Sequence, residues 1–229
     1  MQIKNNIDSI RQKIQQAAWD CDRSPEEITL IGVSKRKPVA KIQEAIDAGH
    51  RDFGENYIQE AMEKIDILGK EQGCWHFIGH LQSNKAKFAV KYFDLIHTVD
   101  KVKLAREINK QAAKIGKVQD ILLQINIAEE ETKSGANAAE VIDMVKEISQ
   151  FDHTSLKGLM CMPPFFDDPE QNRGYFKAVK QISLDIQNED IANVSMTHLS
   201  MGMSNDFAVA VEEGATMVRV GTAIFGGRD

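Results

Sequence analysis

The chain has 229 residues, of which 42% are hydrophobic and 27% charged, the composition of a soluble globular protein with one large core. Its formal net charge of −6 argues against a nucleic-acid binder, since such domains usually carry a basic face, and the short cluster Lys85, Lys87 and Lys91 reads as the solvated side of a helix. No stretch approaches the roughly 20 apolar residues of a membrane span, and the segment 1–20 lacks the apolar core of a signal peptide, so the expected location is the cytosol.

Ile3, Ile7, Ile10, Ile14 and Ala17 recur at helical spacing and predict an amphipathic helix docked on the body of the protein. Cys21, Cys74 and Cys161 are far apart, odd in number and without a Cys-x-x-Cys pair, which leaves reduced core thiols as the expectation. From residue 28 onward, strand-like runs alternate with helix-like ones. Strands are predicted over 28–35, 52–56, 75–79, 95–99, 120–127, 156–162, 196–201 and 217–221. Between them, sets such as Val39, Ile42, Ala45 and Ile46, or Ala105, Ile108, Ala112 and Ile115, repeat every three or four residues and predict helices. Gly49 and Gly116 end two of these, Asn137 with Glu140 forms a capping box, and Asp168-Pro169 supplies an N-cap and a first-turn proline. The segment 81–84 reads partly as loop.

Alternating strands and helices imply a parallel sheet covered on its outside. Eight such units fit a closed barrel of typically roughly 250 residues better than an open doubly wound sheet, and no Gly-x-Gly-x-x-Gly follows the first strand. The predicted architecture is α/β: a single TIM-like (β/α)8 barrel domain over 1–229, with the extra N-terminal helix filling the gap beside the last strand.

Lys35 closes the first apolar run in Val33-Ser34-Lys35-Arg36-Lys37-Pro38. A lysine at the end of a buried strand is an amine held at a cleft, and dehydrated amines form Schiff bases with carbonyl ligands; a lysine that snorkels to water is the plainer reading. At the other end of the chain, Ser200-Met201-Gly202-Met203-Ser204 and Gly221-Thr222 are small turns able to direct backbone N–H groups at a phosphate. Barrel closure makes the first and eighth strands neighbours, and phosphate groups commonly bind after strands seven and eight, so amine and phosphate would share one site. Arg219, between Val218 and Val220, must then be paired with an acidic neighbour or donate to a ligand ring nitrogen or phosphate. His76 and His80 fall on a strand and its loop, which fails the helical spacing of a metal pair, so no metal is expected. The methionines 160, 162, 196, 201, 203 and 217 read as soft core filling.

The motifs Val33-Ser34-Lys35-Arg36-Lys37-Pro38, Phe53-Gly54-Glu55-Asn56-Tyr57, His76-Phe77-Ile78-Gly79-His80-Leu81-Gln82-Ser83-Asn84-Lys85, Gly158-Leu159-Met160-Cys161-Met162-Pro163-Pro164, Leu199-Ser200-Met201-Gly202-Met203-Ser204-Asn205-Asp206 and Val218-Arg219-Val220-Gly221-Thr222 occur in order from about residue 28 to the end. Together they resemble the pyridoxal phosphate homeostasis proteins, the YggS/PROSC family of pyridoxal 5′-phosphate (PLP) binders. The resemblance implies the barrel of alanine racemase, a fold-type III arrangement, with PLP as a Schiff base on Lys35 and Arg219 facing the pyridine nitrogen. It further implies that Ser200, Gly202, Gly221 and Thr222 hold the phosphate, while Asn56 and Met162 line the ring; for Met162 a core position is the alternative.

A permanent cation beside the ring nitrogen opposes its protonation and weakens the cofactor as an electron sink. Racemases that resemble this site also draw a tyrosine base from a separate C-terminal β domain, whereas this chain stops just after its last predicted strand, at Asp229. Its tyrosines are Tyr57, Tyr92 and Tyr175, and of these Tyr57 alone directly follows a predicted strand. The implied role is therefore a carrier in intracellular vitamin B6 homeostasis without amino-acid turnover; a small PLP-dependent racemase or lyase is the alternative. A barrel enzyme for a phosphorylated sugar, using Lys35 without a cofactor, is a third reading. Lys37 and Lys133 are secondary lysines able to accept the aldehyde during loading or release, or simply solvated side chains. Apo-enzymes that receive the cofactor are the expected partners, and the chain is expected to be a monomer because the surface of a second domain is missing.

Overall fold

The computed structural model describes residues 2–128 and 134–227. Eight strands form its centre: β1 (Thr29–Val33), β2 (Asp52–Glu55), β3 (Cys74–Phe77), β4 (Leu95–Val99), β5 (Gln119–Ile125), β6 (Thr154–Cys161), β7 (Val194–Met203) and β8 (Met217–Val220). Each pairs in parallel with the next, and β8 returns to β1 with Arg219 opposite Ile31, closing the barrel. Parallel neighbours need a crossover, and α2 (Val39–Asp47), α3 (Ile58–Leu68), α4 (Ala86–Tyr92), α5 (Val102–Ala113), α6 (Val141–Ile148), α7 (Arg173–Asn188) and α8 (Phe207–Glu212) lie in the seven crossovers, while α1 (Gln2–Trp19) precedes β1 and α9 (Thr222–Phe225) follows β8. This is the (β/α)8 architecture expected from the alternating pattern.

Strand alternation divides the core into two layers. Ile31, Leu95, Leu122, Met160 and Met217 point inward and fill the barrel, while the outward residues pack under the helices in the larger cluster. Met160, Met196, Met201 and Met217 are buried, as core filling requires, whereas Met203 is only partly buried and Met162 is exposed, and so these two are not core. The apolar stripe of α1, with Ile3, Ile7, Ile10 and Ile14 buried, packs against α2, α8 and α9, and Asn6 Nδ2 donates to the Ile224 carbonyl at 2.8 Å. The first helix therefore does cover the flank beside the last strand.

Local signals place most helix ends. Gly49 (φ +83°) and Gly116 (φ +64°) follow α2 and α5 in the left-handed region. Asp168 caps the Glu170 amide at 3.1 Å ahead of a 3₁₀ turn that opens α7. Asn137 caps Ala139 rather than Glu140, because the first turn before α6 is 3₁₀ and brings the second amide under the cap. Segment 81–84 runs into a 3₁₀ turn, Ser83–Lys85, and then α4.

Two boundaries differ from expectation where the site is built. β1 ends at Val33, and Ser34 to Lys37 form a turn closed by the Lys37 amide on the Ser34 carbonyl (3.0 Å), with Arg36 at φ +58°. Lys35 thus rides on a turn rather than on the strand end. β7 runs on through Met203, two residues past its expected end at 201, with a register shift between Ser200 and Met203, so Gly202 too belongs to the strand rather than to a loop.

Candidate functional site

The turn that carries Lys35 is held from below by buried charge. Ser34 is fully buried and donates to Glu55 Oε1 at 2.7 Å, while Lys64, 5% exposed, donates to the Ser34 carbonyl and to Glu55 Oε1, each at 2.8 Å, and also to Glu60. Glu60 in turn accepts from the Arg36 amide, so the backbone on both sides of Lys35 is tied to one ion cluster. Burial pushes the Glu55 carboxyl up from its ordinary value, and Lys64 pulls it back. Lys64 escaped the sequence reading. Its only local trace is the Glu60/Lys64 spacing of four on one helix; Glu55 and Ser34 come from other segments.

Between the ends of β1 and β8 lies a cavity of 380 Å³ whose wall includes Lys35, Lys37, Tyr57, Gly221 and Thr222. Amine and glycine-hydroxyl turn, 186 positions apart in the chain (221 minus 35), therefore face one space. Arg36 donates to the Tyr57 hydroxyl at 3.3 Å and lies 5.6 Å from its ring centre, which fixes the tyrosine on the cavity wall. Lys37 Nζ donates to the Gly227 carbonyl and clasps the β1 turn to the segment after α9. Lys133 lies outside the described residues.

Arg219 is 3% exposed, and its hydrogen-bond partners among the described residues are neutral oxygens: Ser200 Oγ at 2.6 Å and the Cys161 carbonyl at 2.8 Å. Burial pushes its guanidinium down from the ordinary value, and the nearby Asp206 charge offsets this only in part. Ser200 is fully buried; its hydroxyl is taken up by Arg219 and by His97, 2.9 Å away, inside the barrel. Gly202 sits at φ +89° against α8, where a Cβ would come within 2.6 Å of Ala210 Cβ. Asn56 follows β2 directly, and its Oδ1 is buried with no hydrogen-bond partner among the described residues. Met162 follows β6 directly, next to the carbonyl that Arg219 uses, and is 38% exposed.

His76 and His80 do not meet one another's partners: His76 is buried inside β3 with Asp52 at 3.3 Å, whereas His80 is exposed in the segment after β3. His76 instead meets Asp52 and Cys74, whose side-chain polar atoms lie within 4.8 Å of one another, a grouping that spacing along the chain does not reveal. Burial pushes the Cys74 and Cys161 thiols up to about 12, which leaves both inert.

The family model described as "Alanine racemase, N-terminal domain" matches residues 2–229. The pyridoxal phosphate homeostasis protein of Escherichia coli K12 is 43% identical over 230 aligned positions, covering 99% of this chain and 97% of that protein. The chain belongs to the pyridoxal phosphate homeostasis family. Among solved structures, PipY of Synechococcus elongatus PCC7942 superposes with a TM-score of 0.88 at 36% identity without PLP, and 0.86 at 35% with PLP bound. Both superpositions cover 98% of this chain and 100% of PipY. Alanine racemase of Clostridium difficile 630 shares the fold at 15% identity, with a TM-score of 0.78 over 99% of this chain and 56% of the racemase. The likeness to the homeostasis proteins thus extends over nearly the whole of both aligned chains. Among its described residues no helix is long and apolar enough to cross a membrane.

Proposed function

We propose that the chain binds pyridoxal 5′-phosphate in the cavity between β1 and β8, as a Schiff base on Lys35, and serves cofactor homeostasis in the cytosol rather than sustained amino-acid turnover. The observation that carries this reading is that Lys35, Gly221 and Thr222 line one 380 Å³ cavity. The set of groups suits the cofactor: an amine for the aldehyde, small backbone turns for the phosphate, and a buried Asn56 Oδ1, without a partner among the described residues, for a ring substituent. When bound, PLP supplies an electrophilic aldehyde and a potential electron sink. Lys35 provides the amine, whose condensation with the aldehyde releases one water. Arg219, a cation with two neutral partners, offers its remaining N–H groups to the ring nitrogen and disfavours a proton there.

In this reading Gly221 and Thr222 carry the phosphate, while Gly202 keeps β7 close to α8 and Met162 flanks the ring. Ser200 acts on Arg219, with its hydroxyl directed into the barrel. Lys37, on the same cavity wall as Lys35, is placed to accept the aldehyde by transfer between amines, with apo-enzymes as the recipients. The domain is one barrel, and the working form is a monomer.

The deciding measurement is the visible spectrum of the purified, dialysed protein, before and after borohydride, beside Lys35→Ala. The expected result is a yellow band that borohydride removes and the variant lacks; a protein that stays colourless after incubation with PLP overturns the reading. A racemase or lyase is favoured by one observation, that Tyr57 shares the cavity wall with Lys35. Turnover or α-proton exchange of an amino acid that disappears in Tyr57→Phe would select that reading instead.

A further inference from the structure

Beneath the cavity, five side chains from five strands form one continuous hydrogen-bonded line through the barrel. Arg219 lies 2.6 Å from Ser200 Oγ, Ser200 Oγ 2.9 Å from His97 Nδ1, His97 Nε2 3.0 Å from His76 Nδ1, and His76 Nε2 3.3 Å from Asp52 Oδ1. All but Asp52 are buried, and Asp52 opens onto a second cavity of 460 Å³ at the opposite mouth of the barrel.

Donor chemistry gives the line a direction. A guanidinium only donates, so Ser200 Oγ accepts from Arg219 and has its own hydrogen left to place. A carboxylate only accepts, so His76 must present Nε2–H to Asp52. Burial, with the nearby Arg219 cation, holds His97 well below its ordinary value and therefore neutral, with one ring N–H. The two ends then force the same middle: Ser200 O–H donates to His97 Nδ1, and His97 Nε2–H donates to His76 Nδ1. In the reverse direction Asp52 would face a ring lone pair, and the Ser200 hydrogen would lose His97 as its acceptor. A cation among Asp52, Cys74 and His76 would need the Nε2 lone pair and so would reverse the line; the hydrogen-bonded reading satisfies every group without one.

We propose that His97 and His76 are positioning residues for Arg219: as neutral Nε2–H tautomers they orient Ser200, which fixes the guanidinium where it faces the cofactor ring. The inference rests on the PLP reading for what Arg219 faces, while the direction of the line stands on this structure alone.

Two measurements test it. Histidine-ring ¹⁵N NMR of the cofactor-free protein at neutral pH should show both His97 and His76 as Nε2–H tautomers; an Nδ1–H tautomer at either, or a charged His97, overturns the line. Absorption titration with pyridoxal 5′-phosphate then compares His97→Leu, which breaks the line, with His97→Gln, whose amide oxygen and nitrogen reproduce the acceptor and the donor. Leucine should weaken binding roughly tenfold and shift the absorption maximum of the bound cofactor, and glutamine should stay within about threefold of the parent with an unshifted band. Equal behaviour of the two variants overturns the positioning role. Should His97→Leu fail to fold, Asp52→Ala at the half-exposed end supplies the same break: His76 should lose its tautomer preference and the cofactor band should shift, and an unchanged spectrum overturns the role. If the parent protein does not bind PLP, the role toward the ring falls with the functional reading, whereas the tautomers still decide the line.

Discussion

Gly202 is a residue near the site whose identity the backbone constrains. At φ +89°, with a virtual Cβ 2.6 Å from Ala210 Cβ, alanine there must both adopt a left-handed conformation and displace α8. Gly202→Ala should lower stability by about 2 kcal/mol, read as a reduced urea midpoint with unchanged slope. His50 sets a pH dependence. It is 1% exposed with its ring on the Asp52 carbonyl, and burial pushes its imidazole down to about 4. The unfolded chain, with an ordinary histidine near 6.5, binds the extra proton first as the pH falls, so stability is complete above about 6.5 and declines toward 4. Between pH 7 and pH 5 the loss should be about 2 kcal/mol in urea unfolding, and His50→Gln should flatten that slope. A slope that is the same in both proteins would remove His50 as its cause. The sequence marks Lys35 and Arg219 because each is a charge in an apolar run; it does not mark His97, which resembles any histidine in a buried strand until Ser200 and His76 are beside it.

At the scale of elements, the site depends on the β1–α2 turn and on what α3 places under it. Lys64, 5% exposed, pairs with both Glu55 and Glu60 and donates to the Ser34 carbonyl. Lys64→Met would leave Glu55 charged or protonated without its partner and free the turn that bears Lys35. Removing one member of a buried pair should cost about 3 kcal/mol, and in this case it should also slow the appearance of the cofactor band in stopped-flow mixing with PLP. Normal stability and normal rate in the variant would show that the turn holds itself. The elements were legible because their signals are local: apolar period, Gly49, Gly116 and Asp168-Pro169. Their ends near the site were not. The turn from Ser34 to Lys37 depends on Arg36 entering the left-handed region, and β7 reaches Met203 by a register shift against β8; neither carries a composition signal.

At the scale of the whole molecule, barrel closure is what turns separate motifs into a cavity. The hydrogen-bonded β1–β8 seam brings Lys35 to Gly221 and Thr222, and α1, held by its buried isoleucines, covers that flank on the outside. The monomer that accompanies the functional reading predicts a single species near 25.7 kDa in sedimentation equilibrium across a wide concentration range; a dimer mass would require an interface on one of the barrel's outer faces.

The amino-acid sequence by itself determined the eight alternating units, the closed parallel architecture they imply, the amphipathic first helix and the charged residues that stand out against apolar strands, since each of these is written in patterns a few residues long. Only the tertiary structure decided which of those residues meet. The sharing of one cavity by Lys35 and Thr222, the ion cluster of Glu55, Glu60 and Lys64, and the line from Arg219 to Asp52 all depend on strand register, bulges and closure. Those are set by packing between segments distant in sequence, and a local pattern carries no record of them.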